Sequence, residues 1–167
     1  MSTDAFLPFV RNGGSFEELY RREYPNLVAV ARALTGDRHD GEDLVQDTMV
    51  KAFVKWDRIR LYQKPGAWCL RVLTHACRDH WHRRRTRARF MAHQRRVEPS
   101  SEGPGIEFLS FWQAVRRLPE RPRLVVTLYY AGDRSIAEVA ALVNVPEGTV
   151  KSDLARARVV LMAEMGQ

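Results

Sequence analysis

Apolar residues recur at helical spacing along most of the chain. Phe16, Leu19, Tyr20, Leu27, Val28, Ala31 and Leu34 fall on one face and predict a helix over 16–34, kinked or split by Pro25 and ended by Gly36. A second helix is predicted from about Asp40 to Trp56, with Leu44, Val45, Met49, Phe53 and Trp56 as a packing stripe opposite Glu42, Asp43, Gln46, Asp47 and Lys51. One face packs and the other is offered outward. The stretch 57–65 lacks periodicity and reads as a loop. The run from Ala67 to about Arg89 is again helical, packing early through Trp68, Leu70, Val72 and Leu73 and becoming progressively more basic. Glu98, Pro99, Ser100, Ser101, Gly103, Pro104 and Gly105 cannot sustain an element, so a linker is expected there.

Beyond the linker the pattern is compact. Phe108 to Leu118 forms a first helix, Pro122 sits near the start of a second carrying Leu124, Val125, Leu128 and Tyr129, and Gly132 with Asp133 marks its stop. Ser135 can cap a third helix with Ile136, Val139, Ala140 and Val143. Asn144 falls where a left-handed turn residue is needed, and Pro146 with Glu147 opens a last helix to about Met162. Two short helices across a tight turn, small residues Ala140 and Ala141 at the crossing and a polar second helix are the helix-turn-helix pattern. The expected fold is all-α: two small helical domains, 14–91 and 108–167, joined by a flexible linker at 92–107.

Charge changes this picture by where it sits. The 167 residues carry 27 Lys plus Arg against 20 Asp plus Glu, a net +7, at ordinary hydrophobic and charged fractions. The region up to Leu70 is mixed in sign, with Asp37, Asp40, Glu42, Asp43 and Asp47 clustered. Between Arg71 and Arg96 lie nine arginines and four of the five histidines, with Asp79 as the lone acid. Such density calls for a polyanion, and nucleic acid fits better than a membrane surface because the run lacks a Leu- or Phe-rich apolar face. No window approaches the roughly 18 apolar residues of a membrane span, and MSTDAFLPFV lacks the basic start and apolar core of a secretory signal. A cytoplasmic location is therefore expected, and two cysteines, Cys69 and Cys77, suit a reducing compartment.

GEDLVQDTMVKAFVKWDRI (41–59), PGAWCLRVLTHACRDHWHRRR (65–85) and LPERPRLVVTLYYAGDRSIAEVAALVNVPEGTVKSDLARAR (118–158), in this order and spacing, resemble bacterial RNA polymerase sigma factors of the extracytoplasmic-function (ECF) group of the sigma-70 family. The resemblance runs from about Phe16 to Leu161. It implies sigma region 2 in 14–91 and sigma region 4 in 108–167. It also implies core RNA polymerase as a partner, through the clamp helices of its largest subunit and its flap, together with promoter DNA. Asp43, Leu44, Gln46 and Asp47 match the polymerase-binding positions.

For the minus-ten element, where the family melts the duplex and captures an unstacked base, the matching positions are Arg60, Leu61, Tyr62, Gln63 and Lys64 in the loop. On the helix they are His75, Arg78, Asp79, His82, Arg83 and Arg84. His75 stands where the family usually has Asn, and an imidazole cannot make the two-pronged contact of an amide. Trp81 has two uses open to it, stacking on DNA or packing, with packing preferred. For the minus-thirty-five element the matches are Thr149, Lys151, Ser152, Ala155 and Arg156, with Arg158 nearer the phosphates. Asp153 departs from the basic or neutral residue usual there; beside DNA it should repel phosphate unless it accepts from a cytosine amino group. An anti-sigma factor is a further partner the resemblance allows.

Other chemistry is weaker. Cys69, His75, Cys77 and His80 on one helix would not converge tetrahedrally on zinc. Asp43 and Asp47 could share a magnesium ion in a nuclease, but no nucleophile, phosphate loop or third acidic ligand accompanies them. The expectation is no enzyme, no metal and no cofactor, with an autonomous helix-turn-helix regulator as the alternative to a sigma factor.

Overall fold

The structure, a computed structural model, describes residues 14–91 and 106–166. The expected linker, 92–107, therefore lies almost wholly outside the described residues. All regular elements among the described residues are helices. Helix α1 (Phe16–Thr35) opens with a capping box in which Ser15 and Glu18 satisfy each other's backbone N–H groups. It closes at Gly36, whose φ of +73° is the left-handed conformation that glycine adopts without cost. Pro25 does not split it: Pro25 is exposed, and Leu19 before it and Leu27, Val30, Ala31 and Leu34 after it are buried on one continuous face.

Helix α2 (Arg38–Val54) begins one turn after α1 ends, capped by Asp37 accepting from the Asp40 N–H at 2.9 Å. The two helices approach closely at Gly41, where a Cβ would stand 3.1 Å from the Arg32 backbone nitrogen. The expected loop at 57–65 contains a short helix, α3 (Trp56–Ile59), pinned by fully buried Ile59. Helix α4 (Pro65–Phe90) starts with Pro65 in its first turn, where a missing N–H costs nothing. Leu27, Val30, Val45, Met49, Leu70 and Leu73 join α1, α2 and α4 into one core, each large side chain worth about 1.5–3 kcal/mol on burial.

The second module comprises α5 (Ile106–Arg117), α6 (Glu120–Tyr130), α7 (Ile136–Val143) and α8 (Glu147–Met165). A Ser135–Glu138 capping box starts α7, and Asn144, at φ 56° and ψ 53°, makes the left-handed turn into α8. Val115, Val125, Leu128, Val139, Val150 and Leu154 form its core. This module rests on the first, with α5 and α6 packed on α1. The sequence predicted two domains and a linker; it held no sign of that contact.

Candidate nucleic-acid and protein-binding surfaces

On α2, Asp43, Gln46 and Asp47 are exposed at i, i+3, i+4 and Leu44 is half-buried beside them. Neighbouring acids are already engaged. Glu42 accepts from Arg32 and Arg38, which together hold its carboxyl below the usual range. Asp40 lies 3.1 Å from His80 and 3.3 Å from Arg84. Among the described residues no cation pairs with Asp43 or Asp47. Phe53, expected in the core, is instead 63% exposed, because Val45, Met49 and Ala52 take the inward face; it meets the flank of α1, edge-on to Phe16 at 5.2 Å between ring centres. Together with exposed Val50 and Val54 it continues the acidic stripe as an apolar one. The sequence reading missed these three, although 43, 46, 47, 50, 53 and 54 share one helical face and so carried the signal.

The face of α4 assigned to the minus-ten element places His75, Arg78, Asp79 and His82 on one exposed stripe, with Arg83 and Arg84 at its basic end. Gln63 and Lys64 are exposed just before the helix, Tyr62 is half-buried, and Arg60 lies 3.7 Å from Asp57. Much of this face is occupied by the second module. Arg78 Nε donates to Glu120 Oε1 at 2.6 Å, His82 Nε2 lies 3.2 Å from Glu120 Oε2, and Lys64 Nζ is 3.4 Å from Glu138 Oε1. Hydrogen bonds from the Ser135 N–H and hydroxyl, then that lysine, keep Glu138 ionised below the usual carboxylate range. Trp81 packs as expected: the Arg123 guanidinium lies 4.0 Å above its ring centre and that of Arg85 at 5.5 Å.

On α8, Lys151, Ser152, Ala155 and Arg156 are exposed and Thr149 is half-buried. Among the described residues Lys151 and Arg156 have no acidic partner. The Arg158 Nε donates to the Tyr130 hydroxyl at 3.1 Å. Asp153 corrects the expectation of a groove-facing carboxylate. It falls with Val150, Leu154, Ala157 and Leu161 on the inward face, 1% exposed, and takes both arms of Arg121 at 2.7 and 3.2 Å. It therefore neither repels phosphate nor reads a base; it ties α8 to the start of α6.

Cys69 and Cys77 are free and buried, with burial pushing both thiols up to about 12. His75 is exposed and His80 half-buried, so the four residues do not gather on one point. Among the described residues no helix is long and apolar enough to cross a membrane.

Residues 19–87 match the family described as Sigma-70 region 2, and residues 108–161 match Sigma-70, region 4. The chain is 32% identical over 154 residues to the ECF RNA polymerase sigma factor SigM of Mycobacterium tuberculosis, covering 91% of this chain and 78% of that protein. It is 31% identical over 153 residues to the RNA polymerase sigma-E factor of Streptomyces antibioticus, covering 90% and 84%. The fold is similar to that of the sigma factor RpoE, solved in complex with the anti-sigma factor NepR from Bartonella quintana. That likeness has a TM-score of 0.73 at 27% identity and covers 90% of this chain and 96% of that one. With both sigma regions matched in order and relatives of this identity over most of their length, the chain belongs to the ECF sigma factors of the sigma-70 family.

Proposed function

We propose that this sigma factor binds core RNA polymerase through the outward face of α2 and directs it to promoters, acting in the cytoplasm and without chemistry of its own. Residues 14–91 serve as region 2, 92–107 as linker and 108–167 as region 4. Asp43, Leu44, Gln46 and Asp47 meet cationic side chains on the polymerase clamp helices, and Val50, Phe53 and Val54 extend that contact as its apolar part. Acids left without cations among the described residues, on a chain of net +7, are the observation that carries this assignment. The exposed apolar end of α8, Val159, Val160 and Met162, is the corresponding surface for the flap.

Arg60, Tyr62, Gln63, Lys64, His75, Arg78, Asp79, His82, Arg83 and Arg84 engage the melted minus-ten element. Unstacking a base costs a few kcal/mol, so the cations there must be available to phosphate as the strand enters. Thr149, Lys151, Ser152, Ala155 and Arg156 read the minus-thirty-five element in the major groove, with Arg158 near the backbone. An anti-sigma factor, the class of partner bound to the similar RpoE, is a third ligand.

Run-off transcription with purified core enzyme and a promoter library tests the reading: specific transcripts should appear only with both proteins present. Tight, sequence-specific duplex binding by the chain alone would overturn it in favour of an autonomous regulator. Asp47→Arg should weaken capture of core enzyme on the immobilised chain by about tenfold or more; unchanged capture would remove α2 from the interface.

A further inference from the structure

The loop assigned to the minus-ten strand is short and fixed at both ends. Before it, Ile59 closes α3 at 1% exposure, and the Tyr62 N–H donates back to the Ile59 carbonyl at 3.0 Å. After it, Pro65 and Gly66 are buried as α4 begins. Between these anchors Gln63 and Lys64 stand exposed. The second anchor is not made by α4 alone. That helix has 26 residues, yet its N-cap, Lys64, makes no side-chain cap hydrogen bond and its first turn holds no acid. The acid comes from α1. The Glu23 side chain, 13% exposed, lies against Gly66, so close that a Cβ there would stand 2.4 Å from the carboxylate Cδ and Oε1 and 2.7 Å from Oε2.

A negative charge beside this end of a helix is stabilising, with an effect confined to the first turn. Arg22 Nε donates to Glu23 Oε1 at 2.9 Å and Arg134 lies 3.7 Å from Oε2, so the carboxylate is held where it sits. After burial, Glu23 is the next cause that raises the Cys69 thiol, which puts its charge within reach of the first turns of α4. Gly66 answers to this contact rather than to its backbone: it is not at positive φ, and alanine is the better helix former. We propose that Glu23 is a positioning residue for minus-ten recognition: seated on Gly66, its carboxylate fixes the start of α4 and, through it, the loop from Arg60 to Lys64 that receives the unstacked base. The proposal rests on the assignment of that loop to the minus-ten strand. A loop ordered beforehand loses little further freedom when the base arrives, so its order is read out as affinity for the correct base.

The test uses the full chain bound to core enzyme and single non-template strands of a promoter chosen by run-off transcription, either matched or with each minus-ten base in turn made abasic. The readout is the ratio of the two affinities, which a smaller folded fraction leaves unchanged. Gly66→Ala is the sharpest variant. Its Cβ meets the free end of a flexible side chain, so the chain folds by turning the carboxylate aside and loses only the seat. Glu23→Ala and Gly66→Ala should each lower the ratio at the captured base by about threefold to tenfold, with capture of core enzyme and minus-thirty-five footprints as in the native chain. Combined, they should lower it no further than Glu23→Ala alone, because with the carboxylate gone the new Cβ displaces nothing. Glu23→Gln, which keeps the shape and an acceptor oxygen, should restore part of what Glu23→Ala loses.

An unchanged ratio in Glu23→Ala and Gly66→Ala overturns the proposal and leaves the sigma reading intact. So does a combined loss equal to the product of the two single losses, since Gly66 would then act without Glu23. A ratio near one for the native complex at every minus-ten base is a different failure: it removes the strand from this loop, and the proposal falls with its premise.

Discussion

Helices α4 and α8 are both rich in cations and both assigned to promoter DNA, yet they are built in opposite ways. On α8 the inward face is finished by Val150, Asp153, Leu154, Ala157 and Leu161, and the outward cations Lys151 and Arg156 are without acidic partners among the described residues. On α4 two of the outward arginines are themselves engaged, Arg78 by Glu120 and Arg84 by Asp40. A helix that enters an intact groove needs rigid backing and a free face. One that receives a melted strand can tolerate a covered face, because its ligand exists only after other steps.

The largest expected effect breaks the backing of α8. Leu154 is 3% exposed, and Leu154→Ala should destabilise the second module by about 2–5 kcal/mol through lost burial and a residual cavity. Denaturant unfolding should show this, and hydrogen exchange should show it concentrated in α5 to α8. Uniform loss of protection through α1 to α4 would mean that the two modules unfold as one unit.

Next in size is the Asp153 anchor. Asp153→Ala leaves the Arg121 fork without its acceptor and should cost about 1–3 kcal/mol while weakening minus-thirty-five binding, because α8 loses its tie to α6. A carboxylate facing phosphate would behave oppositely, its removal tightening DNA binding with stability unchanged. Thermal unfolding and footprinting on one variant separate the two.

That residue also shows what the sequence made legible. The order of the long helices, the Ser135 cap, the Gly36 and Asn144 turns and the helix-turn-helix were readable because each rests on local rules of spacing and backbone conformation. Asp153 was placed in the groove because its neighbours matched DNA-contacting positions. Its true direction was already present in the i, i+3, i+4 relation to Val150, Leu154 and Ala157. The Glu120 and Glu138 contacts had no such trace. They pair residues 42 and 74 apart across a linker, and nothing periodic connects them.

A smaller effect distinguishes the open cations of α8 from one another. Arg156→Ala should relax base preference at one upstream position by about 1–3 kcal/mol, whereas Lys151→Ala should weaken all sequences alike and lower the salt slope by about one. Binding titrations of the polymerase complex across salt concentrations, on matched and mismatched upstream elements, read both. A uniform loss for Arg156→Ala would make it a phosphate contact.

The smallest effect concerns the hidden side of α4. Cys69 and Cys77 are buried with thiols pushed up to about 12, against about 8.5 in an unfolded chain. Between those values the unfolded state releases protons that the folded state keeps, so stability falls as pH rises, by up to about 1.4 kcal/mol per thiol per pH unit. Below pH 8 the contribution is fully present. Unfolding free energy between pH 7.5 and pH 9 should therefore drop for the native chain by about 1–3 kcal/mol more than for Cys69→Ala combined with Cys77→Ala. Lysine, arginine and tyrosine titrate equally in both proteins, so the difference isolates the thiols. Equal slopes would mean that α4 opens far enough near pH 9 to hydrate its inner face. The contrast with α8 would then lie in how firmly each helix is backed as well as in which face is covered.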